Sequence, residues 1–106
     1  MNENEYNCCV DELMLQIEES IDNSALEIDC ENSNGILTLT VESNGSQMIL
    51  SRQTASRQVW LAARSGGFHF ILKESIWRDT KTNDTLGMIL QQAVKSQAGE
   101  FIDFSL

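Results

Sequence analysis

Apolar residues recur at Tyr6, Val10, Leu13, Met14, Ile17 and Ile21, in steps of three and four that place them on one face of a helix. The spacing predicts a helix over residues 3–22. Asn2 is its N-cap, Glu5 follows three positions on, and Glu3 and Glu5 suit the positive end of the helix dipole. The opposite face collects Asp11, Glu12, Glu18, Glu19 and Asp22, with Leu15 and Cys8 among them. Glu18 is spaced to neighbour both Asp11 and Asp22, and like charges that close weaken a helix by a few tenths of a kcal/mol per pair. From Leu26 the period shortens to two. Leu26, Ile28 and Cys30 take one side of a strand, while Glu27, Asp29 and Glu31 take the other.

Further short strands follow, separated by turn residues. The pattern predicts a turn over residues 32–35, a strand over 36–41, a turn at Ser43-Asn44-Gly45 and a strand over 48–53. Gln58 to Phe70 reads as two strands joined at Gly66-Gly67. Val59, Leu61, Phe68 and Phe70 share the core face, and Gln58, Trp60 and His69 share the other. A large ring among polar neighbours suggests a contact surface. After a turn at Lys73-Glu74-Ser75, residues 76–78 form a short sixth strand in which Trp77 packs rather than binds. Leu86, Ile89, Leu90, Ala93 and Val94 then predict a second helix over 83–98, capped from Thr82 to Asp84 and closed by Gly99. The tail, Phe101-Ile102-Asp103-Phe104, is apolar enough to dock. Helix, six strands and helix make an α+β protein. It is expected to be a two-layer sandwich, an antiparallel sheet of about six strands with both terminal helices on one face, in a single domain of 106 residues.

Charge changes this picture more than composition does. Hydrophobic and charged fractions of 42% and 22% are ordinary for a globular chain, but the net charge is −9. Residues 1–51 hold 11 carboxylates and no Lys or Arg, whereas residues 52–106 hold 7 basic and 5 acidic side chains. Such a field excludes nucleic acid and anionic membrane as partners and attracts cations or a basic protein patch. The three cysteines, Cys8, Cys9 and Cys30, have no metal or disulfide spacing. With no apolar signal region, they indicate free thiols in a reducing cytoplasm.

Taken together, several segments resemble the frataxins, in their bacterial branch. These are Arg52-Gln53 with Gln58-Val59-Trp60-Leu61-Ala62, Gly66-Gly67-Phe68-His69-Phe70, Trp77, Ile17-Glu18-Glu19, Ile28-Asp29-Cys30-Glu31, Gly35-Ile36-Leu37-Thr38 and Gln97-Ala98-Gly99-Glu100. The likeness covers nearly the whole chain. Ala55 stands where the family commonly has Pro, and Ser51 where it often has Asn, which alters the surface of that loop and strand end.

The resemblance implies a non-enzymatic role in iron–sulfur cluster assembly. It implies weak iron binding, Fe(II) or Fe(III), on a ridge of Asp11, Glu18, Glu19, Asp22, Glu27, Asp29 and Glu31. It also implies binding of the cysteine desulfurase through Glu12, Glu18, Glu19 and Asp22, with a brake on cluster formation. The scaffold protein would meet the sheet surface of Gln53, Gln58, Trp60 and His69. The protein would be mainly monomeric, with an iron-dependent oligomer.

The residues add their own constraint. All the ridge ligands are hard oxygens, which hold iron, Mn, Mg, Ca or Co without strong preference. Asp29 and Glu31 are about 7 Å apart along a strand, too far to close readily on one ion. Binding is expected to be loose, multi-site and salt-sensitive. The same carboxylates suit a metal or a basic protein surface. An iron chaperone delivering Fe(II) to the scaffold and a carboxylate ferroxidase are the alternative readings.

Overall fold

The computed structural model describes residues 1–104 and Leu106. Helix α1 (Glu3–Asp22) is followed by strands β1 (Ile28–Ser33), β2 (Ile36–Val41), β3 (Gln47–Gln53), β4 (Gln58–Ala63), β5 (Gly66–Lys73) and β6 (Ile76–Asp79), then helix α2 (Leu86–Ala98). The six strands form one antiparallel sheet whose spatial order is the chain order. The two-layer α+β arrangement expected from the sequence is what forms.

The start of α1 follows from its capping box. The Glu5 amide donates to Asn2 Oδ1 at 2.8 Å and the Asn2 amide to Glu5 Oε1 at 3.3 Å. All six predicted apolar positions of α1 are buried. Burying a side chain of that size contributes about 1.5–3 kcal/mol, so packing outweighs the few tenths lost to each like-charge pair. The inward rows of the strands, Leu37 and Leu39, Met48 and Leu50, Val59 and Leu61, and Phe70, join the α1 residues and Leu86, Ile89, Leu90, Ala93 and Val94 of α2 in one core. Ile102 and Phe104 of the tail are buried in it as well.

Several boundaries differ from the pattern, three regions by more than one residue. β1 begins at Ile28 rather than Leu26 and runs to Ser33. Asn34 and Gly35 both take positive φ, which makes a two-residue turn and lets Ser33 pair with Ile36. The β4–β5 connection is Arg64-Ser65, not Gly66-Gly67; both glycines lie inside β5, opposite Ala63 and Ala62. The second helix starts at Leu86 with Thr85 as its cap, the Thr85 hydroxyl accepting from the Met88 amide at 3.1 Å. The cause is Asp79, buried at the end of β6. Its carboxylate takes the Lys81 amide at 3.0 Å and the Thr82 hydroxyl at 3.2 Å, and Asn83 turns left-handed, so residues 80–84 are a loop.

Candidate functional site

The carboxylates gather along one border. On α1, Asp11, Glu19 and Asp22 are exposed and Glu18 is half-buried; Glu27, Asp29 and Glu31 are exposed on β1 and the approach to it. Glu12, also exposed, lies away from this border, on the side of α1 that faces α2 and the β5–β6 turn, with Gln16, Ser75 and Thr85. β1 is an edge strand, and the outer side of α1 meets the β1–β2 turn: Asp11, Leu15 and Glu18 line a shallow hollow with Asn32, Asn34, Gly35 and Arg52. Cys30 lies under this border. Burial pushes its thiol up to about 11, with the charges of Asp22, Glu18 and Asp29 adding to the shift. Alternation sends Asp29 and Glu31 to the face away from the helices, opposite Thr40 and Thr38. The carboxylates therefore wrap the border instead of converging. Among the described residues, no three His, Cys, Asp or Glu side chains come together to hold a metal ion. Hard oxygen donors suit iron, but an ion here would meet one or two side chains and otherwise water.

One ridge residue already has a cation. Arg52 Nη2 lies 2.6 Å from Asp11 Oδ1, the one ion pair among the described residues, and Arg52 Nη1 donates to Asn7 Oδ1 at 2.9 Å. Arg52 shares the inward side of β3 with Met48 and Leu50, so its stem lies under α1 and only its head reaches the border. With Asp11 69% exposed, the pair contributes at most about 1 kcal/mol. The other border carboxylates have no ion-pair partner among the described residues.

The second surface lies on the uncovered side of the sheet. Trp60 pairs with His69 across β4–β5, and the rings stack with centroids 4.4 Å apart and 8° between planes. The Trp60 indole N–H donates to Gln58 Oε1 at 2.7 Å, which fixes the ring, and Trp60 remains 38% exposed. Gln53 pairs with Gln58 in the next row. So Gln53, Gln58, Trp60 and His69 share one face, as the alternation requires.

Three side chains have roles at these surfaces beyond those read from the sequence. Tyr6, fully buried, donates its hydroxyl to the Gln58 carbonyl and accepts the Gln53 amide at 3.0 Å, tying α1 to the ends of β3 and β4. Burial raises the Tyr6 phenol above its ordinary range, opposed by the Gln53 amide and by the charges of Arg52 and Arg57. Gln97, buried in the last turn of α2, accepts from the Arg64 amide at 2.9 Å and donates to the Gln47 carbonyl at 3.0 Å and to the Ser46 hydroxyl. Leu15, 54% exposed, is an apolar side chain in the middle of the acidic face. The pairing of Arg52 with Asp11 also had a signal in the sequence, a charge on the inward side of an otherwise apolar alternation.

A six-stranded meander with both helices on one face, an acidic border and an aromatic open face defines a class of α+β sandwich. The chain belongs to the frataxin family, in its CyaY-type branch. A frataxin-like domain model matches residues 1–100. Two relatives, from Pseudomonas aeruginosa and Pseudomonas paraeruginosa, are each named iron–sulfur cluster assembly protein CyaY. They are 46% and 44% identical, each over 98% of this chain and 97% of their own length. The frataxin of Psychromonas ingrahamii, a CyaY-family protein, superposes with a TM-score of 0.93 at 33% identity over the whole of both chains. Trimeric frataxin from the yeast Saccharomyces cerevisiae, in a complex with ferrous iron, superposes at 0.67 with 26% identity, over 91% of this chain and 87% of its own. No helix among the described residues is long and apolar enough to cross a membrane.

Proposed function

We propose that this protein is an iron-responsive regulator of iron–sulfur cluster assembly. It docks its acidic border on a basic patch of the cysteine desulfurase and its Trp60 face on the cluster scaffold, and it slows cluster formation. The observation that carries the reading is the separation of two unlike surfaces: carboxylates on the α1–β1 border that, Asp11 apart, have no ion-pair partner among the described residues, and a fixed Trp–His stack left open on the far side of the sheet. The names of the two Pseudomonas relatives support the process, and the ferrous complex of the yeast protein supports the metal.

Iron enters as a loosely held cargo or signal. Glu18, Glu19, Asp22, Glu27, Asp29 and Glu31 supply oxygen ligands in ones and twos, so affinity is low and several ions are held at once. An ion on the border neutralises charge that the desulfurase contact uses, which couples iron level to docking.

The test is desulfurase-driven cluster formation on the scaffold, with wild-type protein and with Glu18→Lys/Asp22→Lys. Wild type slows the reaction and is retained by immobilised desulfurase; the double variant does neither. Retention of the double variant at wild-type strength overturns the proposal. An Fe(II) carrier independent of the desulfurase would instead speed cluster formation as iron is added, whichever charge stands at residues 18 and 22.

A further inference from the structure

The inward row of β3 runs Met48, Leu50, Arg52, so a guanidinium stands where the alternation calls for an apolar side chain. The fold seats it from three sides. The Arg52 amide donates to the Gly35 carbonyl at 3.3 Å, and a Cβ built on Gly35 would come within 3.2 Å of Arg52 Nε and 3.3 Å of its Cδ and Cγ. The β1–β2 turn therefore closes directly over the stem, and the left-handed φ of +76° at Gly35 keeps that position for glycine. Nη1 and Nη2 fork to Asn7 and Asp11, which lie on successive turns of α1. Nε is shut away from solvent with no partner among the described residues. An arginine free to move would turn that N–H to water, so the seat outweighs the cost of leaving it unpaired.

The consequence falls on Asp11. One of its oxygens is held at 2.6 Å by a cation that the chain itself supplies and keeps in place. Along the hollow that Asp11 shares with Glu18, the exposed side chain of Leu15 stands between the two carboxylates. They are two helical turns apart, about 10 Å of rise. A cation arriving from solvent thus meets an occupied carboxylate at residue 11, then an apolar side chain, and a carboxylate with no ion-pair partner among the described residues only at Glu18.

We propose that Arg52 is a built-in counter-ion that withholds Asp11 from metal ions and from the desulfurase, so that the working border begins at Glu18. The desulfurase half of this rests on the reading of the border as its docking surface. The guanidinium takes the place on Asp11 that a divalent cation or a partner's arginine would take. Asp11 serves instead to hold α1 to β3 and the β1–β2 turn, and the patch ends where the chain cancels its own charge. Because Asp11 is exposed, the withholding is bounded at about fivefold in affinity.

The experiment has two arms, with a thermal melt of each variant. In the first, carboxyl ¹³C shifts of wild type and Arg52→Gln are followed by NMR through a Ca²⁺ titration at low ionic strength. In wild type the Asp22 carboxyl moves at severalfold lower Ca²⁺ than the Asp11 carboxyl; in Arg52→Gln the two move together. Equal midpoints in wild type overturn the proposal, whether or not Arg52→Gln keeps its stability. In the second, desulfurase affinity is measured by calorimetry. Arg52→Gln binds about three- to fivefold more tightly than wild type, and Lys95→Gln, which removes the same charge at an exposed site on α2, gains less than about twofold. Asp11→Asn/Arg52→Gln stays within about twofold of wild type while Glu18→Gln loses affinity. A loss in the Asp11→Asn/Arg52→Gln variant as large as in Glu18→Gln shows direct contact at Asp11 and overturns the desulfurase half. Undiminished binding in Glu18→Lys/Asp22→Lys removes the docking reading and that half with it, and the Ca²⁺ arm still decides whether Arg52 withholds Asp11.

Discussion

Along the β1 border, Glu19, Asp22, Glu27, Asp29 and Glu31 stand in water with no converging geometry and no ion-pair partner among the described residues. Across the open face, Trp60 is held by Gln58 and stacked on His69 beside a bare Ala62–Gly67 step, with little charge nearby. The first surface is a field without a shape, and the second is a shape without a field. A field acts at a distance, is shared among many side chains and is screened by salt. A shape acts on contact and fails when one side chain is wrong. The two surfaces should therefore respond differently to the same perturbations.

The largest effect is expected where the two regions are joined. Tyr6→Phe leaves the Gln53 amide and the Gln58 carbonyl without their partner, a loss of about 1–3 kcal/mol. Thermal denaturation should show the midpoint falling by about 5 °C or more. Because those groups lie under the open face, scaffold binding should suffer more than desulfurase binding. Equal losses would mean that the surfaces are not mechanically distinct.

Salt should separate them next. Raising ionic strength from about 50 to 300 mM should weaken desulfurase binding about tenfold and scaffold binding by only two- to threefold, as read by titration at each salt. At low ionic strength, millimolar Mg²⁺, Ca²⁺ and Mn²⁺ should each raise the melting temperature by similar amounts, since the carboxylates do not build a size-selective cage. A strong preference for one of the three would reveal a built site on the border.

The smallest effect concerns the thiols. Cys30, pushed up to about 11, should be alkylated far more slowly than exposed Cys8 at pH 8. The sign of its pH dependence follows from the protonated form being favoured in the folded state. Its contribution to stability is full below the ordinary thiol range near 8.5 and is lost as pH rises through about 11. The raised Tyr6 phenol acts in the same direction above pH 10. The melting temperature should fall over that window, and by less in Glu18→Gln/Asp22→Asn, where two charges that hold the thiol protonated are gone.

Much of this architecture could be read from local order. The α1 stripe, its capping box and the alternation that puts Trp60 and His69 on one face are all written within a few residues of each other. The misplaced start of α2 was set by Asp79, whose buried carboxylate recruits Lys81 and Thr82 and holds them out of the helix. The β4–β5 turn was mistaken because glycine is the usual turn residue, while here Arg64 is anchored by Gln97 from the far end of the chain. Contacts between residues more than 30 positions apart, such as Arg52 with Asp11 or Gln97 with Arg64, leave no periodic trace. The charge imbalance was plain in the sequence, but the way it wraps the edge strand needed the fold.

The strand order has a kinetic consequence. Since every β-ladder joins neighbours in the chain, each hairpin can close over a short loop, on the microsecond scale typical of such units. What remains is to bring the two ends of the polypeptide onto the finished sheet, and the sockets that receive them are the Tyr6 and Gln97 hydrogen bonds. Folding should thus end with the docking of the helices, and partial unfolding should begin there. The element that carries more carboxylates than any other is then among the first to loosen, and amide exchange would find α1 opening ahead of the central strands.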